Sequence, residues 1–191
     1  MVTIDDELVN ALIQPDQYLK IGKDAPIKGI IGLRIKDYET EVYIGKKRAA
    51  DILLTVVKDS SEYKVVVEIE NDREFDVGEI LRKIKKCQHY PVVVIIPKSF
   101  ERFAWRFQNS GMGVAFWTTT CKWYCKACGQ IATASISSMA PSQCGNCSKH
   151  SNFLIFNRIE NTKFENAENN PPLIDQTVLR IRLDKEISVA K

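Results

Sequence analysis

Residues 48–72, RAADILLTVVKDSSEYKVVVEIEND, decide how the first part of this chain folds. Residues 49–57 and 63–70 are rich in isoleucine, leucine, threonine and valine, which favours two β-strands. The polar residues 58–61 between them are typical of a turn. The segment therefore predicts an antiparallel β-hairpin.

Three carboxylates, Asp51, Glu68 and Glu70, interrupt the apolar runs of this hairpin. Because strand side chains alternate, Glu68 and Glu70 share one face, and an antiparallel return can bring Asp51 beside them. A carboxylate in an apolar strand is costly unless it is paired, hydrated or bound to a cation. The pattern predicts a site for Mg²⁺ or Mn²⁺, which prefer oxygen ligands. The alternative interpretation is a solvated sheet face.

The composition is that of a globular protein with one main core and room for a small second module. The chain has 191 residues, of which 45% are hydrophobic and 27% charged. A net charge of +3 permits a nucleic-acid partner without requiring one. The sequence has no signal-length apolar segment at its start and no run of roughly 20 apolar residues. We therefore expect an intracellular, cytoplasmic protein with no membrane segment.

The periodicity of residues 1–120 alternates between helix and strand. Residues 3–14 and 76–90 predict amphipathic helices, residues 22–32 a loop, and residues 33–44 a strand or hairpin. The β-branched run 92–96 predicts a buried strand, 100–109 a helix and 114–119 a further strand. A hairpin followed by βα units predicts an α/β domain with a mixed central sheet flanked by helices on both faces.

Four cysteines in two CxxC pairs define a second module over residues 121–160. Cys125 and Cys128 are separated by 15 residues from Cys144 and Cys147, a spacing typical of a four-cysteine zinc site. Such a site looks like a zinc ribbon, and with four protein ligands its zinc stabilises the fold and does not catalyse. Redox dithiols are the alternative. Residues 161–191 are interpreted as a linker and a terminal strand near 178–183.

The order of the elements, with Asp51 on one strand and Glu68-Ile69-Glu70 on the next, resembles the PD-(D/E)xK nuclease superfamily. The resemblance covers residues 1–120 and implies a restriction-endonuclease-like fold. It implies that Asp51 and Glu68 hold a catalytic metal ion. Glu70 occupies the position where the family usually has lysine, and there it would accept a proton from water or help hold a second cation.

The missing lysine could be replaced from the next helix, where Lys83 and Lys86 are the candidates. By the same resemblance Glu7, on the first helix, is a possible further ligand. The implied activity is metal-dependent hydrolysis of DNA phosphodiester bonds, with a homodimer as a possible assembly.

Two other functions remain open from the sequence. One is a catalytically inactive nuclease-fold protein that binds nucleic acid or assembles with partners. The other places the function in the zinc ribbon, whose lysines and aromatic residues suit contact with DNA or protein but serve equally to pack the module.

Overall fold

A computed structural model describes residues 3–44, 47–71, 75–87, 89–135 and 140–174 of the chain. The helices in these ranges are α1 (Ile4–Ile13), α2 (Pro26–Ile31), α3 (Val77–Ile84) and α4 (Ala104–Gln108). The strands are β1 (Arg34–Ile44), β2 (Lys47–Lys58), β3 (Ser61–Ile69), β4 (Val92–Pro97), β5 (Gly113–Cys125), β6 (Ile131–Ser135) and β7 (Leu154–Asn166). Short 3-10 turns, Lys85–Cys87 and Lys98–Phe103, follow α3 and β4.

The strands form one mixed sheet in the order β1-β2-β3-β4-β5-β6, with β7 paired along the other side of β5. The pairs β1–β2 and β2–β3 are antiparallel, whereas β3–β4 and β4–β5 are parallel. Parallel neighbours need crossover connections, and the segments carrying α3 and α4 supply them. The predicted α/β class with a mixed central sheet is confirmed at this level.

The predicted hairpin is present as β2 and β3. Ile52 lies opposite Val67 and Lys58 opposite Ser61, so the connection is a two-residue turn. Its residues Asp59 and Ser60 have positive φ angles of 48° and 64°. Two positive φ values are the conformation of a type I′ turn, whose twist matches that of the flanking strands.

Helices cover both faces of the sheet, as predicted. On one face α1 and α2 pack against the inward side chains of β2 and β3, including Leu54 and Val65. On the other face α3 and α4 cover a second core that includes Val66, Val94 and Phe107. The sheet is therefore buried on both sides where it passes between the helices.

The prediction of a loop over residues 22–32 is wrong, because the chain forms α2 there. Pro26 stands at the start of this helix, where its missing N–H costs nothing, and Gly32 ends it with a left-handed φ of 65°. Ile27 and Ile31, four residues apart, are both buried. Tertiary burial of that apolar pair outweighs the glycines and proline that suggested a loop.

The prediction of a linker from residue 161 onward is wrong for residues 161–166, which continue β7. These residues pair with β5, for example Phe164 with Trp117 and Asn166 with Ala115. Most of the polar side chains of β7, such as Lys163 and Glu165, are exposed, so its composition resembles that of a loop. The strand predicted near residues 178–183 lies outside the described residues.

The four-cysteine module shares two strands with the main sheet. β5 begins beside β4 and ends at Cys125, so it crosses the predicted boundary at residue 120. Near that boundary the β5–β7 register shifts between Thr118 and Thr120, where Asn161 adopts a positive φ of 56°. This shift is a β-bulge, which locally increases the twist of the pair. No helix in the described ranges has the length and apolar character needed to cross a membrane.

Candidate functional site

The hairpin register brings Asp51 and Glu68 together inside the sheet. Continuing the pairing of Ile52 with Val67 by one residue places Asp51 across from Glu68. The two side chains are 6% and 0% exposed, respectively. Asp51 Oδ2 accepts a hydrogen bond of 2.7 Å from the backbone N–H of Ile69, which fixes this carboxylate against β3.

Lys83 of α3 reaches the same group of carboxylates. Its Nζ lies 2.9 Å from Glu68 Oε2 and 3.4 Å from Glu70 Oε1. The apolar side of α3, with Ile80 and Ile84 buried against the sheet, holds the helix in the position from which Lys83 reaches across. The structure therefore brings together Asp51, Glu68, Glu70 and Lys83. The side chain of Lys86 lies outside the described parts of the chain.

Glu68 is the most unusual member of this group. Its two carboxylate oxygens are buried and have no hydrogen bond of good geometry, although Lys83 forms a close ion pair with one of them. Burial, and then the nearby Asp51 carboxylate, raise the pKa of Glu68 to about 9 despite the opposing effect of Lys83. Without a divalent cation, Glu68 therefore takes up a proton more readily than an ordinary glutamate does.

Glu70 and Lys83 respond to the same surroundings. Burial raises the pKa of Glu70, and the Lys83 ammonium only partly offsets it. For Lys83, burial disfavours the charge, but the carboxylates of Glu68, Glu70 and Asp51 outweigh it and raise the pKa of the ammonium. Lys83 is thus a permanent cation beside carboxylates that take up protons readily.

We predict that Glu68→Gln removes a pH dependence of stability. A pKa raised in the folded state stabilises the protein below the unfolded-state value and loses that stabilisation as pH rises toward about 9. The free energy of unfolding of the wild type should therefore fall from pH 6 to pH 8.5, with a slope of at most about 1.4 kcal/mol per pH unit. The variant, which cannot ionise there, should give a flatter curve in chemical denaturation without divalent cations.

Glu62→Gln is the matched control, because Glu62 lies on the same strand with a side chain 51% exposed. Its curve should follow the wild type. Parallel curves for wild type and Glu68→Gln would contradict the assignment of this pH dependence to Glu68.

Three further residues at this site were missed by the sequence analysis. Asn71 Nδ2 donates a 3.0 Å hydrogen bond to Asp5 Oδ1, so the first turn of α1 reaches the end of β3. The Asp5 carboxylate also contributes to the raised pKa of Glu70. Trp117 Nε1 donates a 2.8 Å hydrogen bond to the backbone oxygen of Glu70. Only the cluster of acids near residue 5 gave a signal in the sequence.

Glu7, the predicted ligand on α1, is not brought into this group. Its Oε2 accepts a 3.0 Å hydrogen bond from the backbone N–H of Ile159 in β7. The α1 residue that faces the carboxylates is Asp5, two positions earlier. Glu7 instead joins the helix to β7.

The four cysteines of the second module form a compact group of thiols. All four Sγ atoms lie within 4.8 Å of one another, with Cys125 and Cys147 3.7 Å apart and Cys128 and Cys144 3.9 Å apart. A tetrahedral zinc ion with bonds of about 2.3 Å places its sulfur ligands about 3.8 Å apart. The residues therefore fit one metal ion such as zinc.

Backbone hydrogen bonds shape the two CxxC turns. In the first turn the Gly129 N–H donates to Cys125 O at 2.8 Å, and in the second the Ser148 N–H donates to Cys144 O at 2.8 Å. Gly129 has a φ of 73°, a left-handed conformation that favours glycine. The module has a small core of its own in which Cys121 and Trp123 are buried.

The carboxylate group differs from the cysteine group in geometry. Within the described ranges, the four cysteines are the set in which three or more ligand atoms approach this closely. Asp51, Glu68 and Glu70 do not form such a cage. Mg²⁺ is commonly held by one or two carboxylates while keeping several waters, so it does not require such a cage. The Glu68 oxygens, one of which faces the Lys83 ammonium, are the donors that such an ion would use.

Comparisons with protein-family models, with curated proteins and with solved structures gave no match to this chain.

Proposed function

We propose that this protein is a divalent-metal-dependent nuclease that hydrolyses DNA phosphodiester bonds, with Asp51 and Glu68 as metal ligands. The observation that carries the proposal is the fully buried Glu68 carboxylate, without a well-formed hydrogen bond, beside Asp51 and 2.9 Å from the Lys83 ammonium. Burying such a group costs several kcal/mol in general. The binding of a cation and a phosphate would explain why the protein carries a buried group with this cost.

The order of elements supports a restriction-endonuclease-like fold of the PD-(D/E)xK type. The antiparallel β2–β3 hairpin carries the acids, and α3 crosses over to the parallel strand β4. In this comparison Lys83 stands in for the lysine that the family usually carries at the position of Glu70. An ammonium 3.4 Å from Glu70 reaches the same region from the helix.

Each residue of the group has a role in this proposal. A bound Mg²⁺ or Mn²⁺ would supply a Lewis acid and lower the pKa of a water molecule. Asp51 is oriented by the Ile69 N–H, and Glu68 must release its proton to act as a ligand. Lys83 offsets negative charge that develops on the phosphate, and Glu70 orients Lys83 or accepts a proton. We therefore expect metal binding and cutting to increase from neutral to mildly alkaline pH.

The zinc module is proposed as a structural unit that helps position nucleic acid. It is joined to the main sheet through β5 and β7, so its lysines keep a fixed place relative to that sheet. Lys122 is partly neutralised, since its Nζ lies 3.6 Å from Glu160 Oε2. Lys126 is exposed and is the better candidate for a phosphate contact. The homodimer stays a prediction.

A second candidate function is a non-catalytic nucleic-acid-binding or assembly protein. The observation in its favour is also Lys83, because an ammonium paired with Glu68 and Glu70 already balances part of the buried charge. On this hypothesis the group is an ion-pair network that stabilises the fold, and no metal enters. The two hypotheses differ in whether DNA is cut.

The test is a cleavage assay on linear double-stranded, single-stranded and branched DNA with Mg²⁺ or Mn²⁺. We expect cutting that Asp51→Asn reduces on the order of 10³-fold, at the upper end of the loss caused by removing one transition-state-stabilising group. Asp59→Asn is the control, because Asp59 lies in the hairpin turn with a φ of 48° that asparagine adopts readily. Absence of cutting on every substrate, or equal rates for wild type and Asp51→Asn, would refute the proposal. DNA binding without cutting would support the second candidate.

A further inference from the structure

A groove lies beside the start of α3, on the same sheet face as the carboxylate group. It encloses about 400 Å³ between Phe75 and the start of α3 on one side and the segment 98–106 on the other. Phe75 and Phe100 stack with their ring centroids 4.1 Å apart and their planes 7° apart, and Phe103 lies 6.0 Å from Phe75. Arg102 and Arg106 also line the groove. The groove thus combines aromatic rings with two guanidinium groups.

The exposed tryptophan, Trp105, directly precedes the lining residue Arg106 in the chain but does not itself line the groove. Trp105 is 58% exposed, whereas Trp117 and Trp123 are 2% and 8% exposed. Arg102 lies near the end of the 3-10 turn, and Trp105 and Arg106 follow in the first turn of α4, so the three side chains leave the backbone within five residues of one another. An exposed indole between two arginines is unusual for a monomer, because tryptophan is mostly buried in protein cores.

Arg102 and Arg106 share the groove with the Asp76 carboxylate. Among the described ion pairs, none joins a carboxylate to Arg102 or Arg106. Glu101 is paired with Lys98 at 3.0 Å. The Asp76 carboxylate caps α3 by accepting hydrogen bonds from two backbone N–H groups, at 2.7 and 3.0 Å. Arg102 lies 4.8 Å from the Phe103 ring centroid, which holds its planar group over the groove wall.

We propose that this face binds single-stranded nucleic acid, with a base stacked on Trp105 and the neighbouring phosphates bound by Arg102 and Arg106. Aromatic platforms beside basic side chains are the common means of binding single strands, because every base has a π-face and every link carries a charge. A base inside a duplex is already stacked on its neighbours. A duplex therefore engages the arginines but not the indole.

The groove and the carboxylate group are joined by α3. Val77 lines the groove, and Lys83, six residues later, is about 9 Å further along the helix axis. The choice of nucleic acid as the ligand rests on the proposed nuclease function. The inference adds that the substrate is single-stranded where it crosses the groove. Binding is measured without a divalent metal, so binding and cutting can fail separately.

The test is the affinity of the full-length protein, without added Mg²⁺ or Mn²⁺, for a fluorescent oligo(dT) and for a duplex of equal length. Trp105→Ala is expected to weaken oligo(dT) binding roughly 5- to 150-fold, the range for one base–aromatic stack, with little effect on the duplex. Replacing both Arg102 and Arg106 by glutamine should weaken both ligands. It should also reduce the slope of log affinity for oligo(dT) against log salt concentration by about 1.4, because each phosphate contact contributes about 0.7 to that slope.

Matched controls come from the segment between α1 and α2, which covers the opposite sheet face. Tyr18→Ala removes another aromatic residue that is 72% exposed. The double variant Lys20→Gln/Lys23→Gln removes two exposed charges. Both controls should keep the affinity for oligo(dT) within about twofold, since neither touches the proposed stack.

Intrinsic fluorescence supplies a second readout. Because the other two tryptophans are buried, oligo(dT) should quench Trp105 selectively, and the quenching should disappear in Trp105→Ala. Three results would overturn the inference: no binding of oligo(dT), equal affinity of wild type and both groove variants, or a Trp105→Ala variant that binds oligo(dT) normally while the arginine variant does not. The last result would define a phosphate-binding surface without base stacking.

Discussion

Replacing Cys144 by serine is expected to weaken zinc binding by the four cysteines of the second module and to destabilise the strands that the module shares with the main sheet. Zinc binding contributes roughly 10–16 kcal/mol in small four-ligand modules, so one thiolate is worth about 3 kcal/mol, or about a hundredfold in affinity. Cys144 is fully buried among the four thiols. A serine there removes a ligand and leaves a polar hydroxyl in its place.

The measurement is the zinc content of the purified protein, together with amide hydrogen exchange over β5, β6 and β7. The wild type should carry one zinc ion per chain, and Cys144→Ser should carry much less and exchange faster near Cys125 and Leu154. Cys87→Ser is the control, because Cys87 is also buried but belongs to the core under α3. It should keep its zinc. A wild type without zinc after expression in zinc-supplied medium, or a Cys144→Ser variant with full zinc, would contradict the assignment.

Under the proposed nuclease function, replacing Lys83 by methionine is expected to abolish most DNA cutting while keeping the fold. Methionine keeps an unbranched apolar chain as far as the ε position but removes the ammonium that lies 2.9 Å from Glu68 and 3.4 Å from Glu70. Loss of one charge that stabilises the transition state typically lowers the rate roughly 10²–10³-fold. Breaking a buried ion pair costs about 3–5 kcal/mol, and we expect about 1–3 kcal/mol here because Lys83 is 39% exposed.

A charge exchange makes this test specific. In the double variant Glu70→Lys/Lys83→Glu, the ammonium moves to the position where the resembled family carries its lysine. It should cut better than Lys83→Met if the ammonium itself is required. Arg82→Met, one residue away with a side chain that is 72% exposed, should cut at a rate close to that of the wild type. Unchanged cutting in Lys83→Met, measured as initial rates with Mg²⁺, would rule out the role assigned to Lys83.

The hairpin and its acids could be predicted from the sequence, because both depend on local pattern. Alternation of apolar residues fixes which face Glu68 occupies, and the short turn after Lys58 fixes the register. The resemblance to the PD-(D/E)xK superfamily, and not the local pattern, led to the prediction that a lysine of the next helix could replace the family's lysine. Lys83 does reach the carboxylates. Which of the candidate lysines does so depends on how α3 lies on the sheet, and the periodicity of the sequence does not determine that.

Other parts of the site required tertiary information. Asp5 stands in the first turn of α1, where acids are common because they interact favourably with the helix dipole. Its approach to Asn71 follows from the packing of α1 on the sheet and has no local signal. The groove beside Trp105 likewise joins residues that are about 30 positions apart in the chain, since Phe75 meets Phe103 there.

β5 and β7 stay paired on both sides of the bulge between Thr118 and Thr120. The pair therefore connects the main sheet to the four-cysteine module as one bent unit, with one arm on each side of the bulge, and not as a flexible linker. On one arm, Trp117 holds the end of β3 through its hydrogen bond to Glu70 O. On the other arm, eight residues or about 26 Å along the strand, Cys125 belongs to the thiol group. Strands that share a ladder open and close as a cooperative unit. The orientation of the four-cysteine module relative to the carboxylates is therefore set by backbone pairing. A residue inserted beside Asn161 would change that orientation.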